Sequence, residues 1–145
     1  MTTMLTTQPP GRRTVSESSF LTGLSEMALR GLDLPSIHSG QGRTALLPER
    51  EVFAAYVAVR LKRAGLTNAA IARGVRLLSS VDLCQSLARG ERWLVVGPDS
   101  ARLVAQEGIA QTTGAKPGIV LDLGPVFDRF REAVAQLEER NADAR

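Results

Sequence analysis

The stretch Phe20-Leu21-Thr22-Gly23-Leu24-Ser25-Glu26-Met27-Ala28-Leu29-Arg30 decides the fold. Gly23 supplies the positive φ that a tight turn needs, so Thr22 to Ser25 reads as a break between two short helices. The first spans Thr14 to Leu21 behind a Ser or Thr cap. The second spans Glu26 to Leu32, with Ser25 as its N-cap and Glu26 suited to its positive end. Leu21, Leu24 and Leu29 can pin the two helices together, which leaves Ser25, Glu26, Met27 and Arg30 facing outward.

Two short helices joined by a tight turn form a helix-turn-helix, whose second helix exposes short polar or basic side chains to a DNA groove. Glu26 can accept from a cytosine amine or simply oppose the helix dipole. Arg30 can reach a base or phosphate, or serve as a helix C-terminal cation. Downstream, Pro35 and the loop Ser36 to Gly42 end the second helix. His38-Ser39-Gly40-Gln41-Gly42-Arg43 reads as a wing, because two glycines permit close approach to DNA and Arg43 can reach a phosphate or the minor groove. His38, Ser39 and Gln41 are the other wing contacts, although a lone histidine in such a loop also reads as simply exposed. Thr44 to Leu47 is a strand candidate. Pro48 opens a long helix in which Val52, Tyr56 and Val59 face a core, while Arg60, Lys62 and Arg63 fill the last turn. Lys62 and Arg63 can touch phosphates or simply complement the helix end. Gly65 stops this helix, Thr67 or Asn68 caps the next, and Ile71, Val75 and Leu78 form its apolar stripe.

The ordered set Leu21-Thr22-Gly23-Leu24-Ser25, Leu29-Arg30, Gly42-Arg43 and Ala64-Gly65-Leu66-Thr67-Asn68 resembles the MerR-type winged helix over about 65 residues, Thr14 to Leu78. The resemblance implies binding to double-stranded DNA through Ser25, Glu26, Met27, Arg30, the wing residues and Lys62-Arg63. Where that family carries two aromatics after its "LR" arginine, this chain has Gly31-Leu32, so one habitual phosphate contact is missing. Its loop from Asp33 to Gln41 is also longer and less basic.

The second half changes character. Trp93-Leu94-Val95-Val96 is a strand closed by Gly97-Pro98-Asp99, and Arg102 to Ala105 can return as a hairpin. Gly114 to Gly118 is a loop, and Ile119 to Leu123 is a third strand. Gly124-Pro125 starts a final helix in which Phe127, Phe130, Val134 and Leu137 recur at spacings of three, four and three. That seam can pack on a small sheet or pair with a second copy. With Trp93, which reads as core or interface, it is the expected surface for a homodimer or protein partner. The tail after Glu139 is expected to fray. The strands followed by this helix resemble the segment after a MerR-like domain in certain VapB-type antitoxins. That resemblance implies repression of the protein's own operon and a toxin nuclease as partner.

Charge divides the same way: residues 1–76 carry a balance of +5 and residues 77–145 a balance of −2. The basic half is therefore the one expected to meet nucleic acid. The single cysteine, Cys84, excludes an intrachain disulfide or a cysteine-based metal cluster within one chain and reads as a small buried hydrophobe. No apolar run approaches the ~18 residues of a membrane span. Residues 1–13 read as a flexible tail without a signal pattern, so the expected compartment is the cytoplasm. No nucleophile signature accompanies His38, and no phosphate-cradling glycine loop with a Walker lysine is present, so no enzyme activity, cofactor or metal is expected. The expected architecture is α+β. A winged helix-turn-helix over 14–80 is followed by a small sheet and C-terminal helix over 81–142 that serve dimerisation or partner binding. The competing expectation is a protein-interaction adaptor whose DNA binding is weak or lost.

Overall fold

A computed structural model describes residues 12–39, 46–109 and 118–144. In chain order it contains β1 (Arg12–Thr14), α1 (Val15–Thr22), α2 (Glu26–Gly31), α3 (Pro35–Ser39), β2 (Leu46–Pro48), α4 (Glu49–Arg63), α5 (Asn68–Ser80) and α6 (Leu83–Ala88). These are followed by β3 (Trp93–Val96), β4 (Ala101–Val104), a 3-10 turn (Gln106–Gly108), β5 (Ile119–Asp122) and α7 (Leu123–Asp143). The fold is α+β, as expected. Among the described residues no helix is long and apolar enough to cross a membrane.

The N-terminal boundaries follow from local chemistry. Thr14 and Glu17 form a capping box on α1: the Thr14 hydroxyl accepts from the Glu17 N–H at 3.0 Å, and Glu17 Oε1 accepts from the Thr14 N–H at 3.0 Å. Gly23 ends α1 at φ 79°, and Gly65 separates α4 from α5 at φ 88°. Arg12 and Arg13, expected in a flexible tail, instead belong to β1, which pairs antiparallel with β2 so that Arg13 lies opposite Leu47. Arg13 is buried and donates to Glu138 at 3.1 Å.

In the second sheet β3 is central, with antiparallel partners β4 and β5 on either side. Val95 stands opposite both Arg102 and Val120. Arg73 on α5 donates to the carbonyls of Gly97 and Pro98, which ties the β3–β4 turn to the helix. Arg92 grips both carboxylate oxygens of Asp122, at 2.7 and 2.8 Å. The same carboxylate accepts from the Gly124 N–H at 3.0 Å and so caps α7.

α7 closes the molecule. Phe53 on α4 packs against Phe130 at 5.2 Å and edge-on to Phe127 at 5.3 Å, and Tyr56 lies 5.3 Å from Phe130. The seam expected to carry a dimer or partner is therefore used within the chain. Phe130, Val134 and Leu137 are buried and Phe127 is half-buried, because α7 lies on α1 and α4. One continuous core crosses residue 80, where the two halves were expected to part. The helix also runs past Glu139, where fraying was expected. Asn141 donates to Glu17 at 3.0 Å, and the Arg140 guanidinium stacks 4.5 Å above the Phe20 ring. Cys84, expected to be buried, is exposed, because α6 turns Leu83 and Ser86 inward instead.

The Arg92–Asp122 pair gives a pH test. The hydrogen bond from Arg92 holds the Asp122 carboxyl below its ordinary value, against the opposing pull of desolvation. A carboxylate depressed in the folded state stabilises fully above the ordinary carboxylate range, and that contribution is lost as pH falls through the folded value. Asp122→Asn should therefore lower the urea midpoint at neutral pH. The difference from wild type should shrink well below pH ~4. An equal difference at both pH values would rule out the ion pair as its source.

Candidate nucleic-acid interface

The turn between α1 and α2 is tightly knit. The Gly23 N–H donates to Ser19 O at 2.9 Å, the Ser19 hydroxyl to Leu24 O at 2.6 Å, and the Thr22 hydroxyl to Ser18 O at 2.8 Å. Ser25 then caps α2, its hydroxyl accepting from the Ala28 N–H at 3.0 Å. Leu29 is wholly buried and anchors the helix, while Ser25, Glu26, Met27 and Ala28 are exposed. Met27 is 83% exposed, an unusual position for a large apolar side chain. Arg30 is half-buried and makes no ion pair or hydrogen bond among the described residues.

Lys62 and Arg63 are exposed in the last turn of α4, likewise without an ion pair among the described residues. Lys62 lines a groove of about 320 Å³ together with Leu24, Ala28, Asn68 and Ile71, and so sits beside α2. The neighbouring cations are committed elsewhere. Arg60 donates to the Tyr56 hydroxyl at 3.2 Å and stacks 4.2 Å over its ring. Arg76 lies 3.7 Å from Asp33 in an exposed pair, a contact worth roughly 0–1 kcal/mol.

The wing expected from His38 to Arg43 departs from expectation at its start. Pro35–Ser39 is helical, so the backbone of His38 and Ser39 completes α3 and is not loop. Leu34 and Ile37 are buried, and the buried Glu51 carboxylate accepts from the Ser36 N–H at 3.0 Å and its hydroxyl at 2.7 Å. These anchors make the segment helical. The side chains of His38 and Ser39, and all of Gln41 and Arg43, lie outside the described residues. Trp93 is half-buried on β3, opposite Val104 and Asp122.

Two features of this region were missed in the sequence. In the sequence Glu51, in the first turn of α4, signals no more than a charge suited to the helix dipole. Arg12 and Arg13 were assigned to a tail, although the Thr14–Glu17 capping box directly after them marks an ordered start. Among the described residues no three His, Cys, Asp or Glu side chains gather to hold a metal. Compared with models of known families and with curated proteins, the chain matches none.

Proposed function

We propose that the chain binds double-stranded DNA through α2 and the cations beside it, in the manner of a winged helix-turn-helix regulator. One observation carries the reading: α2 is anchored by the buried Leu29 while Ser25 to Ala28 are exposed, and Arg30 in its last turn and Lys62 across the adjoining groove make no ion pair or hydrogen bond among the described residues. Cations without protein partners gain most from phosphates, and a short polar first turn with Met27 suits base edges and a thymine methyl. The balance of +5 over residues 1–76 suits an anionic partner for this half of the chain. A homodimer is not required through α7, whose apolar seam is already covered.

The test is fluorescence anisotropy with duplex DNA from upstream of the protein's own gene, titrated over a series of salt concentrations. Binding should weaken linearly on a log–log plot against salt. Arg30→Ala combined with Lys62→Ala should reduce that slope by about 2, one for each lost phosphate contact, with the circular dichroism spectrum unchanged. Absence of binding at low salt would overturn the reading and favour an adaptor that binds protein alone. An unchanged slope in the double variant would overturn the assignment of these two residues.

A further inference from the structure

We propose that the cleft between α4, the α5–α6 turn and α7 binds a small aromatic monocarboxylic acid. This site is separate from the face assigned to DNA, and it stands whether or not that assignment holds. The cleft encloses about 530 Å³, within the several-hundred-Å³ range of pockets that take small organic molecules.

Its walls and rim differ in character. Phe53 and Phe127 meet at 90° and 5.3 Å; Phe53, Leu78 and Leu83 are buried in the apolar floor, and the half-buried Phe127 is the side chain that a flat ring reaches. Arg50 and Arg131 stand at the rim. Arg50 Nε donates to Ser79 O at 2.8 Å, which steadies the side chain and leaves its terminal nitrogens as donors. Arg131 lies 5.6 Å from the centroid of the Phe127 ring and makes no hydrogen bond or ion pair among the described residues.

The same cleft is lined by Glu49 and Asp82. Asp82 is engaged as the cap of α6, accepting from the Gln85 N–H at 3.2 Å. Two guanidiniums and two carboxylates leave the lining without net charge. A multiply charged anion such as a phosphate ester would meet two carboxylates beside the two guanidiniums and find no net positive charge. A single carboxylate on an apolar body needs only one guanidinium, and Arg131 makes no hydrogen bond or ion pair among the described residues.

Cys84 also lines the cleft and is the chain's only cysteine, so its alkylation reports occupancy of this site. The probes are 2-naphthoate and its neutral analogue 2-naphthamide, measured by isothermal titration and by the rate at which iodoacetamide modifies Cys84. The acid should bind saturably, one per chain, at least about tenfold more tightly than the amide. It should slow alkylation in proportion to occupancy. Arg131→Gln should abolish the preference for the acid while leaving amide binding and thermal stability in place. Glu49→Gln should act in the opposite direction and tighten the acid alone, because it removes a like charge. The proposal is overturned by no binding of either probe, by equal affinities for acid and amide, by acid affinity indifferent to Arg131→Gln, or by full Cys84 reactivity at saturation.

Discussion

Phe130→Ala is expected to destabilise the folded monomer by about 3–5 kcal/mol, the usual cost of emptying a buried aromatic site. The ring is wholly buried and packs on Phe53 and Tyr56 of α4, distant in sequence, and beside Phe127 of its own helix. Removing it leaves a cavity at the joint between α4 and α7. α7 also holds Arg13 and Glu17 through Glu138 and Asn141, so loosening the joint should reach β1 and α1. Urea unfolding at two protein concentrations about a hundredfold apart separates this account from a dimer seam. If Phe130 serves the monomer core, the loss is the same at both concentrations. If it served a dimer, the wild-type midpoint would rise with concentration and the variant's would not. Should Phe130→Ala fail to fold, Val134→Ala on the same face gives a milder version. It is expected to lose roughly 1.5 kcal/mol for two methylene equivalents.

That comparison also marks what the sequence could and could not convey. Signals confined to a few neighbouring residues were legible. Gly23 and Gly65 take the positive φ that ends α1 and α4, and Ser25 and Thr67 accept from N–H groups three residues ahead, as helix caps do. The α1–turn–α2 unit, and the exposure of Ser25, Glu26 and Met27, followed from this local chemistry. The spacing of Phe127, Phe130, Val134 and Leu137 announced a buried face. Periodicity says only that a face is covered; it does not say whether the cover is the same chain or another. The missed elements depend on distant partners. β1 has three residues, too short to show alternation, and it exists because it pairs with β2, where a strand was expected over Thr44 to Leu47. The Arg13–Glu138 contact spans 125 positions. α3 has five residues, and its anchors are the buried Leu34 and Ile37 and a carboxylate from α4.

That carboxylate is the second large lever. Glu51→Ala is expected to cost about 2–3 kcal/mol in urea unfolding, because it removes the acceptor of two donors in a part-buried site. Glu51 is 2% exposed, and its oxygens accept from the Ser36 N–H at 3.0 Å and the Ser36 hydroxyl at 2.7 Å. With alanine neither donor has this acceptor, and the side-chain volume is lost as well. Glu51→Gln retains one acceptor oxygen and most of the volume, so it should cost less, about 1 kcal/mol. Combining Glu51→Ala with Ser36→Ala closes a double-mutant cycle, and a coupling energy within about 0.5–3 kcal/mol is expected for residues in direct contact. Strict additivity would mean that the hydroxyl–carboxylate bond contributes nothing, since alanine keeps the Ser36 N–H donor. The consequence for binding can be read separately. α3 lies between α2 and β2 in the chain, so loosening its anchor should misplace the segment that follows α2. DNA affinity should then fall in Glu51→Ala while its slope against salt stays at the wild-type value, because no phosphate contact has been removed. Arg30→Ala with Lys62→Ala should do the reverse and flatten the slope without lowering stability. A protein that reads DNA through α2 must show both patterns, because positioning and contact are carried by different residues.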